Sequence, residues 1–268
     1  MTPSLVNRGD SPVILSFPHA GTFVPHEIWR NLNDEGRTLR DTDWHVDELY
    51  AGLLPDVTIV RATFHRYVID ANRDPAGTSL YPGQTTTGLV PTVNFDNMPI
   101  WRDNHIPDAG EIERRKEMYH APYHAALLAE MERIRARHGL VVLYDCHSIR
   151  SVIPWLFDGI LPDLNVGTDH GRTCAREFEA LALKACAASG RSHVLNGRFR
   201  GGWTVRHYGR PVQGFHAIQM ELAQSAYLVN EVPPFAFSTN KAARLRPCLG
   251  KILHLLSAHA LEVASKWR

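Results

Sequence analysis

Short apolar runs alternate along this chain with stretches of helical periodicity, and several of the runs end in polar residues capable of chemistry. Val13 to Phe17, inside SPVILSFPHAG, is an apolar run closed by Pro18 and Gly21, which predicts a strand feeding a loop. Val46, Leu49, Tyr50 and Leu53 fall at helical spacing and predict a helix from Asp43 to Leu54, stopped by Pro55. VTIVRATFHRYVIDANRD predicts a strand near Val57 to Arg61 and a second extended piece near Tyr67 to Ile69. From Thr78 to Ile106 the chain is rich in Gly, Pro, Thr and Asn, so a long loop is expected. A long helix of alternating charge, about Asp108 to His138, ends at Gly139 and leads into LVVLYDCHS, whose apolar run is expected to stop as a strand at Asp145. Further helices are expected at about Gly171 to Ser189 and Asn240 to Lys266, with strands near Ser192 to Leu195 and His216 to Leu222. The alternation places the chain in the α/β class. With no internal repeat or linker, a single domain over residues 1–268 is the simplest division.

Composition narrows the function classes. A chain of 268 residues with 44% apolar content can bury a sizeable core. Its 29 Lys and Arg balance 28 Asp and Glu, so no global field favours nucleic acid or a membrane surface, and a small-molecule partner is expected. The four cysteines lack CxxC spacing and no N-terminal stretch has the apolar core of a signal peptide, which fits a cytoplasmic protein. Fifteen histidines raise the expectation of a metal site without locating one.

Four polar clusters follow predicted elements. His19 in FPHAG sits after a strand, where Pro18 and Gly21 shape a tight loop. His147, at the end of the LVVLYDCHS run, is placed like a zinc ligand, and Asp145 falls on the same side of the strand, as an orienting carboxylate or as a second ligand. In open α/β sheets ligands sit beyond the carboxyl ends of strands, which is where both imidazoles fall. RDTDWHVDE supplies Asp41, Asp43 and Asp47 at the start of a helix, where acids serve as caps or as metal ligands. HRYVIDANRD holds Arg66, Asp70, Asn72 and Arg73, a set suited either to binding a carboxylate or to a structural Arg–Asp pair. Glu221 lies inside the apolar strand of HAIQMELAQSAY, where an unpaired carboxylate would be costly.

Taken together, FPHAG, RDTDW, YVIDANRD, YDCHS, GGWTVRHYG and IQMELAQSAY closely resemble the N-formylglutamate amidohydrolase family, over about Phe17 to Tyr227. The family is similar to the zinc carboxypeptidases and aspartoacylases, so the resemblance implies a three-layer α/β/α fold around a central mixed sheet. It further implies one zinc ion held by His19, His147 and a carboxylate. Those relatives carry a His-x-x-Glu motif, whereas His19 is followed by Ala20, Gly21 and Thr22, so the carboxylate is assigned to RDTDW, to Asp41 in preference to Asp43. By the same resemblance Glu221 is the general base and acid, Asn72 and Arg73 bind a substrate carboxylate, Arg66 polarises the oxyanion or clamps a second carboxylate, and Arg206 is a further carboxylate-binding candidate. The implied reaction is hydrolysis of N-formyl-L-glutamate to formate and L-glutamate, in histidine degradation. A metallo-carboxypeptidase or deacylase for another N-acyl amino acid, and a non-enzymatic amino-acid-binding relative, are the alternatives.

Overall fold

A computed structural model describes residues 2–79, 83 and 85–266. Its centre is a sheet of seven strands: β1 (Ser4–Asn7), β2 (Val13–Phe17), β3 (Thr58–Ala62), β4 (Val141–Ile149), β5 (Leu164–Gly167), β6 (His193–Leu195) and β7 (Phe215–Ala223). Their spatial order is β1-β3-β2-β4-β7-β5-β6. β3, β2, β4 and β7 run parallel, while β1 and β5 pair antiparallel with β3 and β7 and β6 lies parallel to β5. Central parallel strands are covered on both faces, which is why β2, β4 and β7 are buried at every position.

Eight α-helices accompany the sheet among the described residues: α1 (His26–Trp29), α2 (Asp34–Arg37), α3 (Val46–Tyr50), α4 (Ala109–Arg115), α5 (Ala121–His138), α6 (Arg176–Ala188), α7 (Trp203–Tyr208) and α8 (Thr239–Ser265). One face of the sheet packs on α3, α6 and α8 through Leu15, Val142, Tyr144, Ile218, Met220, Leu49, Phe178 and Leu249. The other packs on α5 and α7 through Ile14, Val60, Val141, Leu143, Leu127, Met131 and Val205. The expected α/β/α layering around a mixed sheet is therefore present. No helix of the described residues is long and apolar enough to cross a membrane.

Most expected elements recur with shifted ends, and the departures have physical causes. The long helix is three joined pieces, α4, a π-helical segment Lys116–His120 and α5; Asp108 caps the first by accepting from the Glu111 amide at 2.8 Å, and Gly139 closes the last at φ 83°. The helix expected from Asp43 shrinks to α3 because His45 takes a left-handed φ of 57° and Asp43 turns its carboxylate toward β4. The extended piece expected near Tyr67 to Ile69 is instead a run of turns, with the Val68 amide donating to His65 O at 2.9 Å and the Arg73 amide to Asp70 O at 3.2 Å. β4 does not stop at Asp145 but continues to Ile149, so its polar residues lie within the strand. The expected loop from Thr78 to Ile106 has no named helix or strand among its described residues; residues 80–82 and 84 lie outside them.

Candidate metal centre and active-site cleft

Strand alternation builds the site. On the face of β4 turned to α5, Val141 and Leu143 are followed by Asp145 and His147; on β7, Phe215 and Ala217 are followed by Gln219 and Glu221. The parallel register sets Asp145 beside Gln219 and His147 beside Glu221. On β2, Ser16 lies beside Asp145 and donates its hydroxyl to Asp145 Oδ1. His19 follows β2 by two residues. The next loop comes so near the chain at Gly21 that a Cβ there would meet Phe64 O at 2.5 Å. The Asp43 amide donates to His19 O at 3.1 Å, and its Oδ2 accepts the Ser148 amide at 3.0 Å, so one short turn before α3 is stitched to both histidine-bearing segments.

The outcome is a buried cluster of His19, Asp43 and His147 whose donor atoms all lie within 4.8 Å of one another. His147 Nδ1 is 3.2 Å and His19 Nδ1 3.9 Å from Asp43 Oδ2. In a tetrahedron of ~2.0–2.1 Å zinc–nitrogen bonds, neighbouring donors stand about 3.3 Å apart, so little movement is needed. Each ring turns its other nitrogen to a buried carboxylate: His19 Nε2 lies 2.7 Å from Asp70 Oδ1 and His147 Nε2 2.9 Å from Asp145 Oδ2. Such outer carboxylates hold a neutral ring with its proton on Nε2 and the Nδ1 lone pair facing a cation. His19 Nδ1 is buried and has no partner, an acceptor that a cation would satisfy.

Charge points the same way. Asp43, Asp70 and Asp145 are buried around the two imidazoles, and the guanidiniums beside them are those of Arg66 and Arg73, so the ionised carboxylates next to the imidazoles outnumber the cations that pair with them. Burial lowers the His19 pKa, and Arg66 adds to this. Burial also opposes charge on His147, yet Asp145 and then Asp43 hold its pKa well above the ordinary imidazole value, so without a cation a proton takes that place. Burial is also the main reason the Glu221 carboxyl is pushed up to about 8; the neighbouring His147 works against the rise and Asp43 with it. Gln219 donates to Glu221 Oε2 at 3.0 Å, while its own carbonyl accepts the Gly202 amide at 2.6 Å, which fixes the amide's orientation.

The family model described as N-formylglutamate amidohydrolase matches residues 11–228. This chain belongs to that family. N-formylglutamate deformylase of Pseudomonas aeruginosa is 43% identical over 258 residues, covering 95% of this chain and 96% of that one. The protein of the same name from Pseudomonas putida is 41% identical over 259 residues, covering 96% of each. Among solved structures, N-formylglutamate amidohydrolase from Ralstonia eutropha JMP134 superposes with a TM-score of 0.76 at 24% identity, over 99% of this chain and 98% of that one, a likeness of fold.

Within this amidohydrolase fold, the residues singled out in the sequence mostly converge. His19, Arg66, Asn72, Arg73, His147 and Glu221 line one cleft together with Gln219 and Gly202. Arg66 Nη2 donates to Asp70 at 2.6 Å and its guanidinium lies over the Phe95 ring at 4.8 Å. Asn72 Nδ2 is 3.1 Å from His147 Nε2, and its carbonyl accepts the Thr204 amide at 2.9 Å. Arg73 donates to Thr87 O at 2.9 Å and Thr87 Oγ1 at 3.1 Å. His120 and His124, at and just past the π-helical segment, meet Arg73 O at 3.1 Å and Ala71 O at 2.7 Å, and so shape the loop that presents Asn72 and Arg73.

Two assignments are corrected. Asp41, preferred as the carboxylate donor, is buried outside the cluster: its Oδ2 accepts the Tyr67 hydroxyl at 2.8 Å and the Phe95 amide at 3.0 Å. Asp43 stands with the histidines instead. Arg206 is not among the residues that line the cleft; it lies on α7, where its Nε donates to Gly201 O at 2.9 Å and a terminal nitrogen lies 3.4 Å from Asp169, contacts that engage the guanidinium with the Gly201 and Asp169 loops. Arg198, not singled out in the sequence, lines the cleft in its place. The one available signal was its position in the same glycine-rich segment.

Proposed function

We propose that the chain hydrolyses N-formyl-L-glutamate to formate and L-glutamate, with one zinc ion held by His19, Asp43 and His147. The observation that carries the reading is the convergence of a three-donor cluster, two of whose members line the cleft, with a buried carboxylate on the neighbouring strand and arginines suited to a substrate with two carboxylates. The names of the two curated relatives supply the substrate. Bound there, zinc would polarise the formyl carbonyl and acidify a water.

The chain's own residues supply the rest. Glu221 takes the proton of the attacking water, whose oxygen adds to the formyl carbon, and returns it to the glutamate nitrogen as the C–N bond breaks. A carboxyl raised by burial suits both halves of that transfer, since base and conjugate acid are both accessible near neutral pH. Arg66, fixed by Asp70 beside the donor cluster, stabilises the negative charge that develops on the carbonyl oxygen. Asn72 and Arg73 hold the α-carboxylate, which sets the formyl group against Glu221. Asp70 and Asp145 keep the two imidazoles in register. A place in histidine degradation and in the cytoplasm belongs to the same reading; the four free, buried cysteines fit a reducing compartment.

The test is formate release from N-formylglutamate by chelator-stripped and zinc-restored protein. Activity lost on stripping and regained with one equivalent of zinc is expected. Zinc-restored protein that cleaves N-acetylglutamate or a peptide-linked glutamate in preference would overturn the substrate assignment.

A further inference from the structure

N-formylglutamate carries one carboxylate two bonds from the scissile nitrogen and another four bonds away, so one short cleft must offer carboxylate partners at two depths. Three guanidiniums line it. Arg66 lies among the donors, 2.6 Å from Asp70 and 3.8 Å from Asp43, over the Phe95 ring. Arg73 stands one shell out, 3.7 Å from the same Asp70 and next in sequence to Asn72, whose amide reaches His147. Arg198 reaches the cleft from a different direction, on the loop between β6 and α7. Its Nε donates to Leu156 O at 2.8 Å, a terminal nitrogen donates to Thr85 O at 2.7 Å, and its guanidinium lies over the Phe199 ring at 5.4 Å.

We propose that Arg198 binds the side-chain carboxylate of the substrate and thereby selects acidic over neutral N-formyl amino acids, resting on the functional reading given above. Depth assigns the partners. The α-carboxylate is tethered close to the reacting carbon and falls to Arg73, whose neighbours are the carboxylate and amide that touch the metal-binding histidines. The more distant carboxylate needs a cation whose anchors belong to the cleft's outer wall, and those of Arg198 are the main-chain carbonyls of Leu156 and Thr85. Fixing Nε and one terminal nitrogen sets the plane of the guanidinium before substrate arrives, so less freedom is lost on binding. A planar, charged fork favours a carboxylate over the isosteric amide, because the amide offers one acceptor oxygen and turns an NH2 toward the guanidinium's own N–H donors. Leu156, Phe199 and Ile149 supply apolar surface for the methylenes between the two carboxylates. Arg206, further along the segment, is turned to Asp169.

The experiment compares kcat/KM for formate release from N-formylglutamate, its γ-amide N-formylglutamine and its α-amide N-formylisoglutamine, using the zinc-loaded full chain. The parent is expected to prefer the diacid over the γ-amide by roughly 10²-fold or more. In Arg198→Met that preference collapses to less than ~10-fold, through a raised KM for the diacid, while discrimination against the α-amide persists. Arg198→Lys, which keeps the charge and the loop's solubility, gives an intermediate preference at an unchanged Tm. A parent indifferent to the γ-amide, an Arg198→Met protein that retains the parent's preference, or one that relaxes toward the α-amide instead would each overturn the assignment, as would a collapse produced by Arg206→Gln. Failure of the underlying reading looks different: the parent would release no formate from any of the three.

Discussion

The two faces of β4 and β7 differ in what they bury, although they bury it equally well. Toward α6 and α8 both strands are mainly apolar, with Val142, Tyr144 and Cys146 on β4 and Ile218, Met220 and Leu222 on β7, and the polar residues His216 and Ser148 stand only near the strand ends. Toward α5 they begin the same way and then switch, to Asp145 and His147 on one strand and Gln219 and Glu221 on the other. Relative exposure is 0% for Asp145, 2% for His147 and 6% for Glu221 against 0% for Met220, so burial does not distinguish the faces. Partners do. An apolar side chain is stabilised by leaving water, about 1.5–3 kcal/mol for a large one, whichever neighbours it meets. A buried carboxylate or imidazole is tolerated only beside specific groups, and removal of one member leaves its neighbours uncompensated. One face therefore holds the strands in place, and the other uses that fixed spacing to aim donors.

Breaking the polar face at a donor of the proposed metal site gives the largest expected effect. Asp43→Ala should abolish stoichiometric metal binding, measured by elemental analysis after dialysis, and formate release with it; the loss should exceed the ~10–100-fold in affinity typical of a missing outer partner. Asp41→Asn should keep parental metal content, because its hydrogen bonds are to Tyr67 and Phe95, and should lower unfolding free energy by about 1–2 kcal/mol. Metal retained in the first variant and lost in the second would return the donor role to Asp41.

The same pair marks where sequence reading reached its limit. Periodicity located β2, β4, β7, α5 and α8, and the polar residues on those strands pointed to His147 and Glu221, because long buried elements leave a strong pattern. Asp41 and Asp43 carry no such signal: both precede a helix, and either could cap it. Their roles are separated by long-range contacts, the Ser148 amide for one and the Tyr67 hydroxyl for the other, over 105 and 26 residues of sequence. The end of β4 was misplaced for a related reason. Polarity at Asp145 ends the apolar run and so marks a strand end, whereas Ser16 and His147 satisfy that carboxylate inside the sheet. β1, β5 and α7 are too short to establish a period, and an arginine in a glycine-rich loop, such as Arg198, gives no indication of which way it faces.

Neighbouring residues on β7 allow a sharper separation of the faces. Glu221→Gln keeps size and the contact with Gln219 but removes the base, so kcat should fall by ~10²-fold or more with little change in KM, full metal content and no loss of Tm. Met220→Ala, one residue away and pointing to the other layer, should cost about 2–5 kcal/mol of unfolding free energy while kcat per folded molecule stays near the parental value. Near-normal kcat in Glu221→Gln would end its assignment as the base. A ~10²-fold fall in kcat for Met220→Ala would show that the faces are not separable.

The smallest effect expected is a pH dependence arising on the apolar side, where β7 also carries His216. Its ring packs on Phe178 at 4.6 Å and its Nδ1 accepts the Ala175 amide at 3.2 Å. Burial, with repulsion from His259 as a second cause, lowers its pKa to about 4, against the weaker pull of Glu177. The folded state therefore resists protonation that the unfolded chain accepts near pH 6.5. Above that pH both states are neutral and the contribution to stability is complete. As pH falls from 6.5 to about 4 the unfolded state takes the proton first and stability declines; below about 4 both are charged and the loss levels off, at roughly 3 kcal/mol. His216→Asn retains an acceptor for the Ala175 amide without an ionisable ring, so it should lie at or below the parent in unfolding free energy at pH 7 and gain on it by roughly that amount at pH 4. Urea titrations of chelator-treated protein keep the metal site's own pH dependence out of the comparison. A parent-minus-variant difference that stays constant from pH 7 to pH 4 would mean that His216 is protonated in the folded state as readily as in the unfolded one, and that water reaches the ring between α6 and α8.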